Sequence, residues 1–391
     1  MGDVVTPAEC PRRTVAPDGA TVRALLTTLA TVVVAAGGAI CVPGVAAADE
    51  VRDAQWQLAA LDAGAAWADA TGAGVVVAVV DSGVDATHPD LAGQVLPGLD
   101  LVDGSTDGRV DPVGHGTSVA ALIAGRGDDS TGVVGLAYQA KILPIRVLDN
   151  GNEYHDAMVV AQAVQWAVDQ GARVINLSLG GPEYSPALAD ALDYAFARDV
   201  VVVACTGNVL AAGSAEVWYP AREPGVVAVT GLSGDPDTEP DPLWASSLTG
   251  PSTVLAAPAA DLLTARPGGR YWRVKGTSFA APLVSATAAL IRARWPRMSA
   301  ANVVQHLTTT ARDVGPAGRD DRYGFGMVSP VAALRAKMPD VPANPLDTAP
   351  PPGVAGFGPA TASENARDAP GQAAPQPPAV AGRGVTGPAR W

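Results

Sequence analysis

The stretch Gly276-Thr277-Ser278-Phe279-Ala280-Ala281-Pro282 carries a hydroxyl in a setting where serine chemistry could run. A serine hydroxyl is a weak nucleophile at neutral pH. It needs a base to take its proton and donors to hold the oxyanion that forms after attack. Ser278 stands where a helix is expected to begin, with the apolar run 283–291 behind it, so free N–H groups and the positive end of the helix dipole would face the developing charge. Pro282 falls in the opening turn, where a missing N–H costs least. On this stretch alone, a helix cap and a nucleophile are equally good readings.

A base and its partner are available elsewhere in the chain. Asp81 follows 75–80, an unbroken apolar and mostly β-branched run that reads as a strand buried on both faces. A carboxylate at the carboxyl end of such a strand lies where open α/β sheets place their sites. His115 sits in Gly114-His115-Gly116-Thr117, at the start of a helix traced by Val119, Ala120, Ile123 and Ala124, and its two glycine neighbours are expected to leave the imidazole accessible. The other histidines, His88, His155 and His306, are expected to be structural or solvated. Asn208 closes Cys205-Thr206-Gly207-Asn208 after a strand at 200–204, and its amide could serve either an oxyanion or a turn.

These positions need a scaffold. Further strands are expected at 142–147, 174–179, 226–230 and 252–257, with helical faces traced by Ala157, Val160, Ala161, Val164, Ala167 and Val168 and by Leu188, Ala191, Leu192 and Ala195. Strand–helix alternation of this kind predicts an α/β fold with a mostly parallel sheet. A short helix is expected around 60–70, and Ser299 is expected to cap one running to Ala311. The loops 100–112 and 235–241 read as solvated surface excursions, the second without a calcium-loop spacing.

At 391 residues, 48% of them hydrophobic and 17% charged, the chain can bury a large core. Its net charge of −13 and lack of any basic run exclude a nucleic-acid surface. Residues 1–48 place Arg12, Arg13 and Arg23 before an uncharged stretch, 24–45, and then Ala46-Ala47-Ala48. That pattern predicts an export signal or an uncleaved N-terminal membrane anchor. Cleavage would leave Cys205 without Cys10 and Cys41, so no intramolecular disulfide is expected. Residues 339–391 turn to Pro, Ala and Gly without periodicity and are expected to form a disordered tail. No metal or cofactor is expected.

Taken in order, Val-Val-Asp-Ser-Gly-Val-Asp around Asp81, Gly-His-Gly-Thr-Ser-Val-Ala around His115, Thr-Gly-Asn at Asn208 and Gly-Thr-Ser-Phe-Ala-Ala-Pro around Ser278 resemble the subtilisin-like serine proteases. The resemblance covers about 56–334 and implies a three-layer fold with helices on both faces of the sheet, forming a peptidase domain over 49–338. It implies Ser278 as nucleophile, His115 as base, Asp81 as its orienting partner, and Asn208 with the Ser278 N–H as the oxyanion hole. It also implies that Ser178-Leu179-Gly180 pairs with an extended protein or peptide substrate. Cys205 would lie on the opposite wall of the primary specificity pocket or else act as a small buried hydrophobe. Trp218, before Tyr219-Pro220-Ala221, stands where the family often has Gly at the pocket floor. Either it makes the pocket shallow and selective for small residues, or its ring turns into the core.

Within that superfamily the chain resembles the mycosins, the membrane-associated proteases of actinobacterial type VII secretion systems. The pointers are Trp56-Gln57-Leu58, Ala66-Trp67, a 49–74 span too short for a folded inhibitory prodomain, and the Pro-rich tail. Mycosins usually end in a membrane helix, and no apolar run of spanning length stands in 339–391. The implied protein is an exported, secreted or envelope-associated serine endopeptidase that processes a type VII protein and meets secretion-complex components. A general secreted subtilisin and a structural component of the complex are the alternatives.

Overall fold

Six consecutive apolar residues before Asp81 need cover on both faces, and the fold supplies it by putting them near the middle of a parallel sheet. In the computed structural model, which describes residues 50–128, 131–209, 216–347 and the backbone of Ala389–Arg390, strand β1 is Val76–Asp81. Val77, Ala78, Val79 and Val80 are fully buried. The 1–48 segment and most of 339–391 lie outside the described residues.

Ahead of β1 come three short helices, α1 (Glu50–Asp53), α2 (Trp56–Ala60) and α3 (Ala63–Trp67). The single helix expected over 60–70 is therefore broken, because Asp62 adopts a left-handed conformation with φ of 49° and starts a new turn. After β1 the order is β2 (Leu99–Asp100), α4 (His115–Ala124), β3 (Lys141–Arg146), β4 (Glu153–Tyr154), α5 (Ala157–Asp169), β5 (Val174–Leu177), α6 (Pro186–Phe196) and β6 (Val201–Cys205). Then follow β7 (Val227–Leu232), β8 (Leu255–Pro258), β9 (Leu262–Arg266), β10 (Arg270–Val274), α7 (Thr277–Arg294), α8 (Ala300–Thr309), α9 (Pro330–Arg335) and β11 (Ala389–Arg390).

Seven strands form one sheet in the order β2-β3-β1-β5-β6-β7-β8, every neighbouring pair parallel. The chain runs from β1 to β3 on one side and later to β5 on the other, so the carboxyl end of β1 is a topological switch point. Helices α4 and α7 pack on each other in one layer, and α5 and α6 pack on each other in the second. Asp156, Ser185 and Ser299 cap α5, α6 and α8 through side-chain oxygens that accept from Met158, Leu188 and Asn302 N–H groups.

Several boundaries differ from the sequence reading. The strand expected at 252–257 begins only at Leu255, because Gly250 and Thr253 close a turn by exchanging hydrogen bonds. The antiparallel β9–β10 hairpin was not expected. Loop 235–241 is tied down: Arg312 pairs with Asp235 and Asp237, and Arg322 with Asp241. The chain also stays on the domain past Met338, since Leu346 is buried and its carbonyl accepts from Gly225 N–H. No helix among the described residues is long and apolar enough to cross a membrane.

Candidate active site

Strand β1 delivers Asp81 to the switch point, where its carbonyl accepts from the Val147 and Leu148 N–H groups at 2.8 and 3.2 Å. Its Oδ1 accepts from Ser82 N–H at 2.7 Å and from His115 Nδ1 at 2.7 Å. Ser278 Oγ lies 3.0 Å from His115 Nε2, which completes a carboxylate–imidazole–hydroxyl relay built from β1, α4 and α7. The glycine after His115 serves close approach: a Cβ on Gly116 would come within 2.1 Å of the Gly83 carbonyl and 3.1 Å of Asp81 Oδ1. His115 itself is only 8% exposed, so Gly116 lets it close against Asp81 and the glycines do not open it to solvent.

Burial of the imidazole opposes its protonation, but the Asp81 charge and hydrogen bond, with Asp111 behind, outweigh that and hold its pKa above the ordinary 6.5. Asp81 Oδ2 is buried and has no hydrogen-bond partner among the described residues. A carboxylate so poorly compensated gains from a cation beside it, which favours the protonated form of the His115 imidazole.

Helix α7 starts at Thr277, so Ser278 occupies its first turn, and Gly276 at the cap position offers no side chain to those N–H groups. The φ of 147° at Gly276 suits glycine, and its N–H donates to Ala259 O at 2.8 Å, fixing the helix start beside the end of β8. Across from it, Asn208 Oδ1 accepts from both Thr277 N–H and Thr277 Oγ1 at 3.0 Å. With its carbonyl engaged, the Asn208 side chain presents its NH2 end to the space beside Ser278, a donor set suited to an oxyanion.

A family model for the peptidases of the subtilase family matches residues 72–326. The chain belongs to the subtilase family. Subtilisin DY of Bacillus licheniformis is 38% identical over 269 residues, covering 68% of this chain and 92% of that protein. Fervidolysin of Fervidobacterium pennivorans is 36% identical over 301 residues, covering 70% of this chain. This chain spans only 42% of fervidolysin's own length. Among solved structures, the MycP3 protease from the type VII (ESX-3) secretion system superposes with a TM-score of 0.60 at 33% identity, over 72% of this chain and 88% of that one.

In this subtilase the hydroxyl of Ser178 is committed to groups of the chain itself. It donates to the Ser278 carbonyl at 2.6 Å and accepts from Asn176 Nδ2 at 2.8 Å, while Ser285 Oγ donates to Asn176 Oδ1 at 2.9 Å. Asn176 and Ser285 thus prop the first turn of α7, and neither was singled out from the sequence. Strand β5 stops at Leu177, one residue before that prop, and Gly180 makes no backbone hydrogen bond among the described residues.

Cys205 is 1% exposed, its Sγ lies 4.0 Å from the Leu179 carbonyl, and burial pushes its thiol up to about 12. An aromatic disulfide reagent is therefore expected to leave Cys205 untouched in the folded chain and to titrate it after denaturation. Rapid labelling with loss of activity in the folded state would place the thiol in the pocket instead. Trp218 is 4% exposed yet stands outside the main apolar cluster. Its Cβ lies 3.3 Å from where a Gly180 side chain would begin, and its ring atom Cδ2 lies 2.3 Å from the same point on Gly207. Trp218 therefore touches the Gly180 segment through its Cβ, while its indole packs against Gly207.

Asp111, Thr277 and the β9–β10 hairpin complete the surroundings. Trp272 on β10 donates through Nε1 to Ser118 Oγ at 2.7 Å, and Ser118 Oγ donates to Ala265 O on β9 at 2.8 Å, which braces α4 behind His115. The Gly268-Gly269 pair between alternating runs is the turn signal that could have revealed this hairpin. His88, His155 and His306 take no part: His88 bonds Asp90 N and Arg270 O, exposed His155 pairs with half-buried Asp149, and His306 bonds Ala333 O. No cluster of three or more His, Cys, Asp or Glu able to hold a metal occurs among the described residues.

Proposed function

We propose that this chain is an exported serine endopeptidase. The observation that carries the reading is the Asp81–His115–Ser278 relay at 2.7 and 3.0 Å, set beside an Asn208 amide whose carbonyl end is already engaged. Ser278 Oγ attacks the scissile carbonyl carbon as His115 Nε2 takes its proton. The carbonyl oxygen becomes an oxyanion held by Asn208 Nδ2 and the Ser278 N–H. His115 then hands the proton to the leaving amine, and water attacks the acyl-enzyme by the same route in reverse. Asp81 fixes the imidazole tautomer and steadies its cationic form.

The substrate is bound as an extended strand along 178–180, with the Gly180 backbone supplying the pairing groups. The position of Trp218 between Gly180 and Gly207 supports a shallow primary pocket that accepts residues such as Ala before the scissile bond. The likeness to MycP3, whose structure is described as that of a protease from a type VII secretion system, supports processing of a secreted protein within such a system. The sequence of residues 1–48 supports export and envelope association. Bulk protein degradation is the second reading, favoured by the likeness to fervidolysin, whose structure is described as that of a keratinolytic enzyme.

Mass-spectrometric mapping of cuts in a peptide mixture tests both parts. The wild type should cut after small residues, and Trp218→Gly should gain roughly tenfold or more in kcat/KM for Phe or Leu at that position. A wild-type preference for Phe or Leu would overturn the shallow pocket. Failure of the folded wild type to cut any peptide would overturn the protease assignment.

A further inference from the structure

Helix α4 must hold His115 against Asp81, yet its cap position is Gly114, which has no side chain to satisfy the first-turn N–H groups. The missing cap is supplied from outside the helix. Asp111 Oδ2 accepts from Thr117 N–H at 2.8 Å and from Thr117 Oγ1 at 2.6 Å. Its Oδ1 accepts from the N–H groups of Val113 and Gly114 at 3.0 and 2.7 Å and from Ser82 Oγ at 2.9 Å. Ser82 Oγ in turn accepts from Gly116 N–H at 3.0 Å, while the Ser82 N–H donates to Asp81 Oδ1.

We propose that Asp111 is a positioning residue for the proton relay, clamping the end of β1 to the start of α4 through Ser82 and adding a second negative charge behind His115. The proposal rests on the serine-protease reading. Five donors converge on the two Asp111 oxygens, and each oxygen accepts at least two hydrogen bonds, which is the pattern of an ionised carboxylate. Burial pushes the Asp111 carboxyl up, against the pull of the bonds from Thr117, Gly114 and Ser82. The site is 6% exposed, so its charge acts with little screening.

Two consequences separate this role from ordinary capping. The clamp fixes the approach of His115 to Asp81, because Ser82 is bonded to Asp111, to Gly116 beside His115 and to Asp81 itself. The charge also makes His115 more basic. Asp81 and Asp111 are the charged groups that act on its imidazole, while α7 contributes the neutral Ser278 and the Phe279 ring at 5.0 Å. Catalysis needs neutral His115, so activity is lost as pH falls through its pKa. Removing the Asp111 charge lowers that pKa and carries the acid limb to lower pH.

The test is the pH dependence of kcat and KM for one peptide substrate with the full chain, its Asp111→Asn and Ser82→Ala variants, and thermal midpoints alongside. Asp111→Asn should move the acid limb of kcat/KM down by at least about half a pH unit. It should also lower kcat about tenfold with KM unchanged. Ser82→Ala should lower kcat while leaving the limb in place. A folded Asp111→Asn with an unmoved limb, whatever its thermal midpoint, would reduce Asp111 to a helix cap and overturn the proposal. Should that variant not fold, Asp111→Glu keeps the charge with displaced geometry: an unmoved limb with reduced kcat supports the clamp, and full kcat overturns it. An inactive wild type would count against the protease reading itself, a result distinct from an active wild type whose Asp111→Asn profile is unchanged.

Discussion

Peptide hydrolysis by the Ser278→Ala variant is expected to fall about a millionfold in kcat, with KM little changed. Ser278 Oγ is hydrogen-bonded to His115 Nε2, and the Ser178 hydroxyl nearby is committed to the Ser278 carbonyl at 2.6 Å and is not free to replace it. The residual rate should come from Asn208 and the helix start acting on a water attack. Because Ser278 is 5% exposed and loses only its hydroxyl, the variant should fold normally. Steady-state kinetics on one peptide measures the effect. A loss smaller than about a hundredfold would mean that cleavage in the preparation has another source.

The second large effect is expected at Asn208. Asn208→Ala should lower kcat about 10²- to 10³-fold, or roughly 3–4 kcal/mol of transition-state stabilisation, and leave KM nearly unchanged. Thr277 holds the Asn208 carbonyl through its N–H and its hydroxyl, and that same hydroxyl accepts from Gly207 N–H at 3.1 Å. The amide is thus oriented before substrate arrives, so its donor costs no reorganisation during reaction. A raised KM with kcat preserved would show that Asn208 binds the ground state instead.

Much of this arrangement was legible in the sequence because the physics behind it is local. Residues 75–80 must be a buried parallel strand, and such a strand ends at the switch point, so Asp81 could be placed from its neighbours alone. Ser299 could be read as a cap because capping is a short-range bond. What escaped depends on groups far apart in the chain. Asp111 ends a loop rich in Asp and Gly that reads as solvated, and only the fold brings Ser82 to it. The acidic loop 235–241 looked free because its arginines lie more than seventy residues downstream. The glycines beside His115 were read as making space, whereas Gly116 exists to remove it. Trp218 could be assigned to a pocket or to the core from sequence, and the choice rests on its ring lying against Gly207, a position only the fold sets.

The most direct test of an assembled nucleophile and oxyanion site is covalent labelling by a fluorophosphonate probe, applied to the folded chain from Asp49 onward and to its Ser278→Ala variant. The probe reacts with a serine only when a base activates it and donors hold the phosphoryl oxygen. Labelling of the wild type at Ser278 and none of the variant is the expected result. Equal labelling of both, or none of either in folded protein, would contradict the relay of Asp81, His115 and Ser278 as a working active site.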